Sequence, residues 1–340
     1  MKNAFWARPA HLITACVLLA ASIVARADAP IIIKFIHVAA ADAPKGKAAE
    51  RFKKLAEERT KGRVKVMVYP NSMLYKDKEE MEVLQIGGVQ MLAPAPGKFG
   101  PLGVKEFEVF DLPYLFDNLA VAKRVTQGPI GRQLLKKLEI RGITGLAFWD
   151  NGFRVLTSNK PIRRPSDLKG QKLRIQSSKV TEAQMREVGA LPQVMAFSEL
   201  YQGLQTGVVD GQENPVTHVY TQKFYEVQKY MAVTDHTYHS YVVITNKRFW
   251  DGLPPDIRGI LEEALKDTTA EYAAMAQQET DEAFAALRKT GKMEIFTPTV
   301  AEKVEWKKAF SKVHREMEGR VGKDLLESIY KETGFDPNKL

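Results

Sequence analysis

The 340-residue sequence predicts an α/β protein made of two similar halves and backed by one long helix. Three observations carry that fold class. From residue 31 to 96, short β-branched or alternating apolar runs are separated by segments of helical period. The same alternation restarts at residue 153. Residues 255–290 are then dominated by Ala, Glu, Leu and Gln, the composition of a continuous helix.

Each element has its own local reason. "IIIKFIHVAA" (31–40) is short and β-branched, as a buried strand should be. A helix follows from about Lys45 to Thr60, with Ala49, Phe52, Leu55 and Ala56 on one face. "RVKVMVY" (63–69) alternates as a second strand and "PNS" turns the chain. A helix over 77–87 ends at Gly87–Gly88, and "VQMLAPAP" (89–96) is a third strand running into a loop. Strand–helix–strand–helix–strand order predicts a largely parallel sheet with helices on both faces. A strand over 143–149 ends near Asp150. In the second half, 153–159 and 171–176 are strands joined through Pro161 and Pro165, a helix covers 179–188, and 192–196 is a short strand. "AFSELYQGLQTGVVDGQENP" (196–215) reads as a helix entered through Ser198, then the strand "VVDGQ" and a Pro-terminated loop. "SYVVITNKRFW" (240–250) is one more strand. Pro254–Pro255 suit the first turn of the long helix. Its length of about 54 Å exceeds the width of one small domain, so it can back both halves.

The N-terminus reads as an export signal. Lys2 and Arg8 form a basic region, "LITACVLLAASIV" (12–24) is apolar, and "ARA" (25–27) offers a cleavage site after Ala27. A lipid-modified cysteine would follow its apolar run, whereas "VLLAASIV" comes after Cys16, so Cys16 reads as part of the signal. Cleavage removes Lys2, Arg8 and Arg26, leaving 47 basic against 41 acidic residues and no cysteine. A chain of this size is stable through its core without disulfides. Export argues against a nucleic-acid partner, and the charges are scattered along helix faces as on a solvated surface.

Catalytic signatures are missing. There is no G-x-S-x-G elbow, Walker loop or G-x-G-x-x-G after a strand, and a mature chain without cysteine has no thiol nucleophile. His236 and His239 are close in sequence, but that spacing on a strand points to opposite faces, which argues against a metal pair. No cofactor is expected, and the chain does not read as an enzyme. Polar residues at strand ends are more informative. Arg154 opens the first strand of the second half, Arg174 lies on the next, and Asn214 sits in "GQENP" after another. Ligands of α/β sheets sit beyond such strand ends. A guanidinium fork matches one carboxylate with two hydrogen bonds. The alternative for each arginine is a local Asp or Glu, and the residues alone leave both open.

At these positions the sequence resembles the solute-binding proteins of tripartite ATP-independent periplasmic (TRAP) transporters, especially the C4-dicarboxylate branch. Six blocks in order carry the resemblance: "KFIHVAAADAPKGKAAERFKKLAEERTKGRVKVMVYPNSMLY", "LQIGGVQMLAPAPGKF", "FDLPYLFDN", "WDNGFRVLTSNKPIRRPSDLKGQKLRIQSSKV", "YQGLQTGVVDGQENP" and "ITNKRFWDGLP". It implies a periplasmic binding protein of two α/β domains, 28–152 with 243–278 and 153–242 with 279–340, spanned by helix 255–290. It implies a small dicarboxylate ligand such as succinate, malate or fumarate, TRAP permease subunits as partners, and a monomer. The same resemblance makes Arg174 the carboxylate clamp, Arg154 a second arginine and Asn214 a ligand contact. These residues are then expected to hold ligand and not the fold. His37, Lys45, Lys98 and Tyr238 are further expected contacts. Lys45 and Lys47 open a helix, where a cation opposes the dipole, as a site needing extra positive charge would require. An aromatic residue often follows "ENP" in that family, whereas Val216 stands here and leaves room for a different acid. Other small carboxylates as ligand, or a sensory role, are the alternatives.

Overall fold

A computed structural model describes residues 29–337; the expected signal and its cleavage site at 27/28 lie outside them. The first half builds β1 (Ile31–Ile36), α1 (Pro44–Arg59), β2 (Val64–Tyr69), α2 (Glu80–Gln85), β3 (Met91–Leu92), α3 (Leu119–Gln127) and α4 (Pro129–Lys137). Then β4 (Ile143–Ser158) crosses into the second half, which adds β5 (Lys172–Ile175), α5 (Lys179–Glu187), β6 (Leu191–Val194), α6 (Leu200–Gln205), β7 (Gly211–Pro215), α7 (Val216–Thr221) and β8 (Tyr230–Ala232). The chain returns through β9 (Tyr238–Asn246), α8 (Lys247–Asp251) and α9 (Pro255–Thr290), and ends in β10 (Glu294–Phe296), α10 (Val300–Val321) and α11 (Lys323–Thr333).

The sheets are mixed, which corrects the expectation of a largely parallel one. In the first half β1 pairs in parallel with β2 and β3, but β9 joins β3 and β4 antiparallel. In the second half β5 lies parallel to β6 and β7, while β4 runs antiparallel to β7 and β8. The cause is β4 itself. The two strands expected at 143–149 and 153–159 are one strand that serves both sheets, with a register break between Asp150 and Phe153. Gly152, at φ +89°, takes the backbone conformation that this bulge needs and that a side chain would strain.

Two other boundaries moved. The strand expected at "VVDGQ" is instead "GQENP" (211–215), all five residues buried, so Asn214 lies on a strand and not in a loop. The strand expected over 240–250 ends at Asn246, whose side chain accepts the Phe249 N–H at 2.9 Å and starts α8.

Helix α9 covers 255–290 as expected and joins two cores. Ile257, Leu261, Ala264, Leu265, Tyr272 and Ala276 pack with β1, β2 and α1, whereas Ala283 and Leu287 pack with α6, α7 and β8. Trp149 of β4 stacks on Tyr272 with ring centroids 5.4 Å apart and donates to Thr269 at 3.0 Å, tying the helix to the strand that links both sheets. Gly259 is its only glycine, near the first turns, where the loss of about 1 kcal/mol relative to Ala is easily borne. Helix α10 bridges as well, through two further clusters: Trp306 and Phe310 pack with β5 and α5 of the second half, Val313 and Val321 with Phe107, Phe110 and α4 of the first. Leu326 and Ile329 of α11 join the same first-half cluster as Val313 and Val321.

Candidate functional site

Between the halves lies a cavity of about 40 Å³. The first half contributes Lys45 from α1, Asp77 and Glu80 from the start of α2, and Lys98 from a tight turn over Pro96–Phe99. The second contributes Arg174 and Gln176 around β5, Phe197, Asn214 of β7 and His218 of α7. His239 and Tyr241 of the crossing strand β9 complete the wall. Gly97 brings the turn close to the second half: a Cβ there would stand 2.7 Å from Asp111 Oδ2 and 2.8 Å from Ser178 Cβ.

Arg174 is aimed by its surroundings. Its Nε and Nη2 both donate to the Met195 carbonyl, at 3.0 and 2.8 Å, and its guanidinium lies 5.6 Å from the Phe197 ring centroid. Nη2 is 3.9 Å from Asp77 Oδ2 across the cleft. No described residue accepts from Nη1. Burial lowers its pKa from the ordinary arginine value, partly offset by Asp77 and Glu213, and an arginine remains charged.

Lys98 and Lys45 face it from the other half. Lys98 Nζ donates to Asp77 Oδ2 at 2.6 Å and to the Asp77 carbonyl at 3.0 Å. Lys45 Nζ donates to the Ala93 carbonyl at 3.0 Å and stands 3.8 Å above the centre of the Tyr241 ring. Burial pulls Lys45 down to about 8, opposed by the charge of Glu80. α1 has no acid in its first turn, so the helix dipole leaves this lysine without local compensation. Its neighbour Lys47 points outward instead and pairs with Glu279 of α9 at 2.5 Å. Asn214 donates to Gln212, which orients it on the cavity wall.

Three of the expected contacts sit elsewhere. The Arg154 guanidinium is committed to Glu213, with Nη1 2.6 and 2.7 Å from the two carboxylate oxygens, and Nη2 donates to His239 Nδ1 at 2.6 Å. Both side chains of that pair are 1% exposed, so the expectation that Arg154 takes no part in holding the fold is corrected. β7 places Glu213 next to Asn214, and its antiparallel register beside β4 brings it to Arg154. Tyr238 donates its hydroxyl to Asp150 inside a cluster with Phe110, Phe116 and Phe153, away from the cavity. Tyr241, three residues further along the strand, is the tyrosine on the wall. His37 follows β1, is buried, and among the described residues has no hydrogen-bond partner in bonding geometry for either ring nitrogen; its neighbour Val38 lines the cavity. Burial, then the Lys45 charge, hold His37 down to about 3.

Sequence reasoning missed Asp77, Glu80, Phe197, His218 and Tyr241, and read His239 only as a surface or pocket-lining polar residue. His239 and Tyr241 share one face of a strand at spacing two, a signal that was present. Asp77 and Glu80 were hidden in the charge run "KDKEE" (76–80), which reads as a solvated helix start. His218 bonds Tyr241 and Asn151 and packs edge-on against Phe197. Burial and the cations of the site hold it down to about 3, so it is a neutral wall residue.

A two-part α/β protein with a spanning helix, whose cations converge on a small cavity between the parts, is a solute-binding protein. Residues 35–320 match the DctP family, "Bacterial extracellular solute-binding protein, family 7", and the chain belongs to this family of TRAP-transporter binding proteins, which are not enzymes. It is 54% identical over 311 residues to the C4-dicarboxylate-binding periplasmic protein DctP of Rhodobacter capsulatus, covering 92% of this chain and 93% of that one. A TRAP periplasmic solute-binding protein from Shewanella oneidensis with bound succinate superposes with a TM-score of 0.87 at 38% identity, over 90% of this chain and all of that one. Another from Pseudomonas aeruginosa PAO1, with bound L-malate, gives 0.82 at 40% identity, over 84% of this chain and 100% of that one.

Proposed function

We propose that this protein captures a C4-dicarboxylate such as succinate, malate or fumarate between its halves and delivers it to TRAP membrane permease subunits. The observation that carries the reading is the buried convergence of Arg174 from one half with Lys45 and Lys98 from the other on a single small cavity. Arg174 holds one carboxylate through its outward N–H groups while the Met195 carbonyl fixes its plane. Lys45 and Lys98 receive the second carboxylate, and Asn214 adds a polar contact beside Arg174. A diacid held this way bridges the halves, so ligand and closed form stabilise one another. The relatives named above, with their dicarboxylates, support the same class of ligand.

In this reading the first domain comprises 28–152 with 243–278, the second 153–242 with 279–340, and α11 rides on the first through Leu326 and Ile329. The mature chain is a periplasmic monomer beginning at Asp28. Thermal-shift screening over mono- and dicarboxylates, followed by calorimetry, tests the proposal. Succinate or malate should raise the melting temperature and bind at one site. A protein that responds to neither and binds a sugar acid or monocarboxylate would overturn the ligand class.

A further inference from the structure

The charges lining the cavity match a dianion only if one of its acids is neutral. Lys45, Lys98 and Arg174 stand against Asp77 and Glu80, three positive charges against two negative. Asp77 is engaged by Lys98 at 2.6 Å and by Arg174 at 3.9 Å. Glu80 differs. It is 3% exposed and lines the cavity, yet among the described residues no hydrogen bond reaches its side chain. The remaining titratable groups around the site do not alter the count. His37 after β1, His218 of α7 and His239 of β9 are all driven far below their ordinary range by burial, and Tyr241 is pushed up, so the four are neutral. With Glu80 ionised the wall carries one net positive charge; with Glu80 protonated it carries two.

We propose that Glu80 determines specificity by taking a proton from solvent when a dicarboxylate dianion enters, then donating its O–H to a ligand oxygen. The inference rests on the dicarboxylate reading of the site. A dianion brought beside an ionised Glu80 adds like charge in a dry cavity, which favours the protonated acid. Burial already lifts Glu80 to about 7, against the pull of Lys98 and Lys45, so the proton is available near neutral pH. A monoanion balances the wall with Glu80 ionised and needs no proton.

Calorimetry of the full mature chain in buffers of different ionisation enthalpy counts the protons. At pH 7 succinate should take up about half a proton per site, and butyrate close to none. Succinate affinity should fall about fivefold from pH 7 to 8 through Glu80, while Lys45, at about 8, adds at most about a further twofold. Glu80→Gln supplies a permanent donor without charge. It should bind succinate more tightly than wild type at pH 8 and take up clearly less than the wild-type half proton at pH 7, the remainder coming from Lys45, which loses the upward pull of Glu80. Succinate binding by wild type without proton uptake overturns the inference alone, and that count decides even if the glutamine variant fails to fold. A folded Glu80→Gln that keeps the uptake, or binds more weakly at pH 8, overturns it too. If neither succinate nor malate binds, the dicarboxylate reading falls and this inference with it.

Discussion

Replacing Arg154 by alanine should destabilise the protein before it says anything about ligand. The guanidinium and the Glu213 carboxylate are both 1% exposed and joined by contacts of 2.6 and 2.7 Å. His236 stands 4.0 Å from Glu213, but burial holds that ring neutral at about 3, and Arg174 pulls on Glu213 less strongly than Arg154 does. Alanine would therefore leave a buried carboxylate without its hydrogen-bonded counter-charge. Breaking such a pair from one side costs about 3–5 kcal/mol, a large part of the whole stability of a typical domain. The pH dependence separates this cause from simple loss of packing. In wild type, burial already raises the Glu213 pKa while Arg154, and more weakly Arg174, lower it; without Arg154 burial is opposed by the weaker pull of Arg174 alone. A carboxyl whose folded pKa lies above its unfolded value costs stability at high pH, and the cost fades as pH falls and the group protonates in both states. Arg154→Ala should thus lose most at pH 8 and recover part of the loss by pH 5. Glu213→Gln leaves an arginine that cannot shed its charge, so its loss should persist across the same range. Urea denaturation of ligand-free protein at several pH values reads both. A loss below about 1 kcal/mol at pH 8, or one that does not vary with pH, refutes the reasoning.

Arg174→Lys should weaken succinate binding by roughly 10- to 150-fold in calorimetry, because a lysine reproduces neither the fork nor its anchoring on Met195; a charge-assisted bond is worth about 1.5–3 kcal/mol. Equal affinity would remove Arg174 as the clamp. Ala273→Pro should cost roughly 3 kcal/mol or more and impair closure, since it breaks α9 near the end of the stretch that packs with β1, β2 and α1, before the helix passes to the other core, at a residue whose carbonyl also accepts from Lys123 at 3.2 Å. Unchanged ligand-induced compaction in small-angle scattering would show that the helix does not couple the halves.

How much could be read from the chain follows from the range of each interaction. Helix 255–290 was legible to the residue, because composition, a proline start and a glycine after its end are all local signals. Strands β1 and β2 were legible through β-branching and alternation. The continuity of β4 was not. "WDNGF" looks like a turn, and only pairing with β9 on one side and β7 on the other makes it a bulge inside a strand. Most of 97–142, the 3₁₀ turns and α3 and α4, gave no periodic signal strong enough to place. The C-terminal helices α10 and α11 likewise had no tertiary address in their own sequence.

The site divides along the same line. Arg174, Asn214, Lys45 and Lys98 reach the cavity because each stands at the end of an element, where position alone limits what a side chain can meet. Whether an arginine meets a ligand or an internal acid is decided by a partner from a distant part of the chain. Glu213 lies 59 positions from Arg154, and the β4–β7 register, which sequence patterning leaves open, brings them side by side. Two arginines that look equivalent in sequence therefore separate in the fold. Arg154 is neutralised within the second half and stiffens the wall through His239, whereas Arg174 donates to a backbone carbonyl, lies over Phe197 and has its nearest carboxylate 3.9 Å away across the cleft. The less satisfied cation is the one with binding capacity left over. Screening buried arginines for a hydrogen-bonded internal carboxylate, and not for strand-end position alone, separates clamp from brace.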